Sequence, residues 1–325
     1  MTRLDPRSWA TCFEFDPMKG EIIREPEKGE PDYWVGAPGA TYRDEQFFLV
    51  YRIRRPRGVE PDRGAELRIA TSKDGAVFDD IWTGTKEQLG TPSVERSALI
   101  AREGHWRLYV CHVDPTDGRW MISLCDADRP DAFDLTTAQP VLRAADIDCE
   151  GVKNPFFFSV GGLMHMVVSY AEKSNPDATH EMLHGDGDAF SSGHVRASSG
   201  LATSLDGVKW QWKGSILDPA EGAWDGYAVR IGALWYKAPA WLAFYDGAGD
   251  LAETSEERCG LAYSTDLRAF HRVSQDGPYF TIPHGTGSLR YVDVLIRPDA
   301  TYIYYEMARP DGGHELRMYR AEAVG

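Results

Sequence analysis

The chain has 325 residues, of which 42% are hydrophobic and 12% aromatic, and its formal net charge is -15. That is enough apolar material for a large core, and the acidic balance disfavours a nucleic-acid or anionic-membrane partner, since both need a broad basic field. No run reaches the length of a membrane span, and MTRLDPRSWATCFEF lacks the continuous apolar core of a secretory signal.

Five cysteines (Cys12, Cys111, Cys125, Cys149, Cys259) occur without a CxxC and read as reduced thiols of a cytoplasmic protein. Residues 1–32 are polar, apart from an apolar-aromatic patch at Trp9 to Phe15. EPEKGEPD, just after it, reads as a loop. From Trp34 onward the chain repeats. Five copies of one stretch follow: VGAPGATYRDEQFFLVY from Val35, VERSALIAREGHWRLYVC from Val94, VKNPFFFSVGGLMHMVV from Val152, VRIGALWYKAPAWLAFY from Val229 and LRYVDVLIRPDATYIYY from Leu289. Each is an apolar run, a turn, and a second run rich in aromatic and β-branched residues, which is the pattern of a β-hairpin.

Four copies are followed by a third strand, an Asp-containing turn and an aromatic residue: LRIATSKDGAVFDDI, WMISLCDADRPDAFDL, GLATSLDGVKWQWKG and GLAYSTDLRAFHRV. The fifth ends in ELRMYRAEAV and lacks the aromatic outer strand, a place the Trp9–Phe15 patch is expected to fill. Two alignments with the same count predict an all-β fold, a five-bladed β-propeller of four-stranded blades. It is expected to be a single domain over residues 1–325, with its ring closed by the N-terminal strand. One insertion, residues 171–199, interrupts the third copy, and its length suits a lid over the axis.

The pattern of aromatic hairpin, then GLAxSxD, then aromatic resembles the five-bladed propeller glycoside hydrolases of families 43, 32 and 130. GLATSLDGVKW and GLAYSTDLRAF carry the resemblance. It implies an axial pocket at the end where the innermost strands start, lined by catalytic carboxylates. This chain departs from the family pattern at those positions. Ala37-Pro38, Ser97-Ala98 and Asn154-Pro155 stand where carboxylates are expected, while Glu150-Gly151 and the Val-Glu of Val94-Glu95-Arg96-Ser97 partly match family motifs.

Within the repeat, a cation column reads Arg96, Lys153, Arg230 and Arg290, with Gly36 in the first copy. Sixteen residues on stand Arg52, His112, Ser169, Asp246 and Glu306. Like charges converging on one axis repel unless anions answer them. Two readings follow. Either the ring holds an anionic substrate group, with Arg52 and His112 joining it, or Arg230–Asp246 and Arg290–Glu306 are internal ion pairs. Glu95 falls in the otherwise apolar column Val35, Val152, Val229, Leu289, the kind of local inconsistency that marks a site. Burial would suit it to a general acid.

Glu95 and Glu306 are therefore the first catalytic candidates, with Asp246 and Glu150 next and Asp225 and Asp293 weaker. Tyr33, Trp34 and Tyr227 are candidates for a sugar platform or for packing between blades. HEMLH, from His180 to His184, matches the HExxH zinc pattern, but Phe190 stands where the extended motif has its third His. A lid lending His180 or His184 to the pocket is the preferred reading. No metal or cofactor is expected.

The expected function is a glycoside-hydrolase-like enzyme that uses carboxylate acid/base chemistry, of the inverting kind, on a small-molecule sugar with an anionic group. The alternatives are a glycoside phosphorylase using inorganic phosphate and a non-catalytic carbohydrate-binding propeller.

Overall fold

The computed structural model describes residues 15–102, 104–185 and 187–322. Among them the strands pair as antiparallel groups of four. The first group is β2 (Trp34–Arg43), β3 (Gln46–Arg55), β4 (Arg63–Ser72) and β5 (Asp79–Thr85). The second is β6 (Val94–Arg102), β7 (His105–Val113), β8 (Trp120–Ala127) and β9 (Gln139–Leu142). The third is β10 (Gly151–Val160), β11 (Leu163–Ala171), β12 (Ala197–Ser204) and β13 (Gln211–Leu217). The fourth is β14 (Ala228–Lys237), β15 (Ala240–Ala248), β16 (Arg258–Ser264) and β17 (His271–Arg272). The last group, β18 (Leu289–Ile296), β19 (Ala300–Ala308) and β20 (His314–Glu322), takes β1 (Glu21–Arg24) as its outer partner. The fold is an all-β propeller.

Local chemistry sets the turns. Asp44 and Glu45, between β2 and β3, both have positive φ, as do Gly161 and Gly162 between β10 and β11. Two consecutive left-handed residues match the twist of a tight hairpin. The repeated SxD stretch proves to be a turn device. Asp74 Oδ1 accepts from the Ala76 and Val77 amides, Asp206 Oδ1 from Val208 and Lys209, and Asp266 Oδ1 from Arg268 and Ala269. The preceding serine accepts further amides of the turn, two at Ser72 and Ser264 and one at Ser204. These residues build the turns of the fold.

Apolar clusters lie between neighbouring groups. Val50 and Ile69 pack on Leu99 and Leu108, Ile122 and Leu142 on Val152 and Met166, and Val167 and Leu201 on Val229 and Ala243. Leu242 and Phe244 meet Leu289 and Ile303, and Tyr304 and Leu316 meet Val35 and Leu49. The first strands touch in the order β2, β6, β10, β14, β18 and back to β2.

The patch at Trp9–Phe15 lies outside the described residues except for Phe15. That ring packs among Phe244, Phe280, Tyr305 and Tyr319. The N-terminal strand that pairs with β20 is Glu21–Arg24, downstream of the expected patch. The insertion holds a one-turn helix, His180–His184, and a 3-10 turn, Ala189–Ser191. Cys111, Cys125, Cys149 and Cys259 are free and buried. No helix among the described residues is long and apolar enough to cross a membrane.

Candidate active site

The hairpin register decides which side chains meet at the head of the first strands. Gly36 pairs with Arg52, Lys153 with Ser169, Arg230 with Asp246 and Arg290 with Glu306. In the second group the equivalent pair is Glu95 with Cys111. The column thus reads Gly36, Glu95, Lys153, Arg230, Arg290, and each hairpin slips register by one soon after. This corrects the expected alignment. Arg96 lies one residue past the column, and Glu95 belongs to it. Matching Arg96 to the other cations by charge shifted the second copy by one residue. In a strand that sends a side chain in a different direction.

The column's charges are answered from within the protein. Asp246 Oδ2 accepts from Arg230 Nε at 2.9 Å, and Glu306 Oε1 accepts from Arg290 Nε and Nη2 at 2.9 and 2.6 Å. Glu257, on the loop before β16, bridges both arginines, at 3.0 Å to Arg230 and 2.8 Å to Arg290. Arg52 binds Glu95 and lies 3.5 Å from Glu306. The internal ion pairs expected for Arg230 and Arg290 are both present.

Tyr291 fills the middle. Its ring lies 3.9 Å from the Arg230 guanidinium carbon, with those of Arg290 and Arg52 at 5.2 and 5.7 Å. Its hydroxyl donates to Glu95 Oε2 at 3.1 Å, and its amide donates to Asp246. The backbone there is left-handed, φ 52°. For a bulky residue that costs about 1–3 kcal/mol, and the surrounding bonds hold it in place.

Glu306 is 0% exposed. Besides the arginine bonds it accepts from His314 Nδ1 at 2.8 Å and from the Ala37 amide at 3.0 Å. Burial alone would raise its pKa, but Arg290, His314 and Arg52 hold it well below the carboxylate range. With its oxygens engaged and no access to solvent, Glu306 serves as an anchor of the network. Asp246 is likewise buried and shared between Arg230 and the Tyr291 amide. Glu95 has the opposite character from a general acid. Burial pushes it up, yet Arg52, Lys153, Arg54 and Arg290 outweigh that and bring it down to about 2.

Other expected residues go elsewhere. His112 pairs with Val94, and its ring nitrogens reach the Val113 carbonyl and Ser123 Oγ, so it does not face the column. Burial lowers its pKa. Trp34 is buried, stacked on His314 at 4.6 Å and flanked by Arg54 and Arg290. Tyr33 is buried beneath Lys28. Neither offers an open platform. Glu150 binds His184 Nε2 at 3.0 Å and Arg119 at 3.2 Å. Asp225 is fully buried against Tyr245 and Arg272, and Asp293 lies with Arg96 away from the column.

Two cations are thinly compensated. The nearest carboxylate oxygen to Arg54 is on Glu95 at 4.0 Å, and Arg54 Nε has no hydrogen-bond partner among the described residues. Burial and the charges of Arg52 and Arg290 lower its pKa. Lys153 Nζ lies 3.7 Å from Asp188 and 4.0 Å above the Phe190 ring. Both partners belong to the insertion, and Asp188 is fixed by Trp120 Nε1 at 3.0 Å. The cavity beside Lys153 and Phe190 holds only about 20 Å³. Arg54, Asp188, Glu257 and Tyr291 were not found by repeat reasoning. Tyr291 follows a column residue and could have been; the other three lie outside the column.

No family model matches the chain, and no curated protein does. Solved structures do resemble it. The GH43_1 enzyme from Xanthomonas citri complexed with xylotriose is 13% identical, with a TM-score of 0.60 over 93% of this chain and 90% of that one. A thermostable family-43 glycoside hydrolase is 11% identical, with a TM-score of 0.62 over 93% and 96%. A further structure described as a glycoside hydrolase is 10% identical, with a TM-score of 0.67 over 98% and 94%. At these identities the likeness is one of fold, and the chain is built on the β-propeller found in glycoside hydrolases.

Proposed function

We propose that the chain is a glycoside-hydrolase-like enzyme acting on a small sugar with an anionic group, at the head of the first strands. The observation that carries this reading is the pair of thinly compensated cations, Arg54 and Lys153, beside an ionised Glu95. An incoming carboxylate or phosphate would give Arg54 and Lys153 a nearer anionic partner than Glu95 and Asp188 provide. Glu95, whose ionised form is favoured by Arg52, Lys153, Arg54 and Arg290, takes the part of base or electrostatic stabiliser. Asp188, carried on the insertion, is the second carboxylate at this end. Glu306 and Asp246 hold the network.

The same reading treats the chain as one domain of five blades in a closed ring. The cyclic contacts of the first strands and the apolar cluster between each neighbouring pair of groups support it. It also treats residues 171–199 as a lid, because Phe190 and Asp188 cover Lys153 where a substrate would enter.

A non-catalytic sugar-binding propeller is the second reading. It is favoured by one observation: Glu95, Asp246, Glu257 and Glu306 are all ion-paired. Calorimetry with glucuronate against glucose, and turnover of aryl glycosides and glucuronides with and without inorganic phosphate, separate these. Glucuronate is expected to bind at least about tenfold tighter than glucose, and R54Q and K153Q each to erase that preference. Turnover lost in E95Q with binding kept supports the enzyme. Binding without turnover selects the second reading, and turnover that needs phosphate selects a phosphorylase. Equal affinity for glucuronate and glucose would sink the anionic-sugar assignment.

A further inference from the structure

A second cavity lies at the other ends of β2, β6 and β10. Its volume is about 480 Å³, within the roughly 300–1,000 Å³ typical of small-molecule sites. Tyr42, Phe156 and Phe158 wall it, and Arg96 and Asp293 line its inner end. We propose that this cavity binds a small carboxylate carried on an apolar ring, with Arg96 as the anion contact.

Arg96 keeps hydrogen-bonding capacity that nothing among the described residues meets. It is 1% exposed. Its Nε donates to the Pro38 carbonyl at 3.0 Å. Nη2 lies 3.7 Å from Asp293 Oδ1, beyond hydrogen-bond reach, and Nη1 has no hydrogen-bond partner among the described residues. Asp293 is already held, with Oδ2 taking the Ala40 amide at 2.6 Å and Oδ1 the Val294 amide at 3.1 Å. An unmet buried donor costs about 1–3 kcal/mol, more when it is charged. A carboxylate oxygen is a strong acceptor for a guanidinium donor. Phe156, 5.9 Å from the Arg96 guanidinium carbon, and Phe158 beside it are partly exposed and offer the faces on which a ring would stack. The register explains the placement. Lying one residue past the column, Arg96 sits between the charges around Asp246, Arg230 and Tyr291 and this cavity, whose lining it joins.

Benzoate tests the proposal, with benzyl alcohol as its uncharged counterpart, by calorimetry or ligand-observed magnetic resonance. Wild-type protein is expected to bind benzoate at least tenfold tighter than benzyl alcohol, and R96Q to remove that preference. Ser159→Trp, at an exposed position on the rim, is expected to block both ligands while leaving Arg96 and its partners intact, so the test survives a poorly folding R96Q. K153Q, at the opposite end, is expected to leave benzoate binding unchanged. The proposal fails if benzoate does not bind, if it binds no better than benzyl alcohol, if S159W leaves its affinity intact, or if K153Q abolishes it.

Discussion

Replacing Glu306 by glutamine separates an anchor from a catalytic group. Glu306 Oε1 takes two Arg290 nitrogens and His314 Nδ1, and Oε2 takes the Ala37 amide. An amide cannot serve both sides. If its oxygen faces Arg290, its NH2 meets the Ala37 N–H and Arg52, donor against donor. If it is flipped, the NH2 meets Arg290 and His314. Either way at least one buried donor is orphaned, and Glu257 is the carboxylate left within ion-pair distance of Arg290. Removing one member of a buried ion pair costs about 3–5 kcal/mol. Unfolding entropy is about 2.1 cal/mol/K per residue. Over 325 residues that is about 0.7 kcal/mol/K, so Tm should fall by about 4–7 °C. Calorimetric or circular-dichroism melts at pH 7 measure it. If E306Q melts within about a degree of wild type and loses only turnover, Glu306 is a catalytic residue and the anchor assignment is wrong.

Glu95 makes a pH prediction. Its folded pKa, about 2, lies below the ordinary 4.5. The stability this provides is complete above about pH 4.5 and is lost as pH falls towards 2. It is worth about 3 kcal/mol, from 1.36 kcal/mol per pH unit. The stability difference between wild type and E95Q, measured by denaturant titration, should therefore narrow from pH 5 to pH 2. A difference that stays constant over that range would show that Glu95 is not held ionised. Gly36→Ala tests the packing of the column. A Cβ there would sit 2.2 Å from Glu306 Oε2 and 2.5 Å from its Cγ. Glu306 is pinned and cannot yield, so G36A should lose about 1–3 kcal/mol or more. Unchanged denaturant midpoints would refute the crowding.

The hairpins were legible because their signal is local. Apolar alternation and turn residues recur in every copy, and the SxD turns repeat the same hydrogen bonds. The pairs Arg230–Asp246 and Arg290–Glu306 were legible for the same reason, since a hairpin of fixed length fixes which residues face each other. The centre was harder to read. Tyr291 and Glu95 are 196 residues apart in sequence and meet only when the first strands come together. Glu257 and Asp188 come from connecting segments that no repeat constrains.

Strand register, and not chemical likeness, sets the place of Arg96. Two neighbouring charged residues, Glu95 and Arg96, competed for one repeat position, and chemical likeness to the other copies favoured the arginine. Strand register favoured the glutamate, because Glu95 pairs with Cys111 as Lys153 pairs with Ser169. A ring of cations alone would demand an outside anion. One glutamate in that ring, set against Arg52, removes most of the demand. What remains includes Arg54 and Lys153 at one end and Arg96 at the other. A one-residue change of alignment therefore replaces one strongly cationic pocket with two sites of modest charge, and anion binding at either end should be weak enough for a single substitution to abolish it.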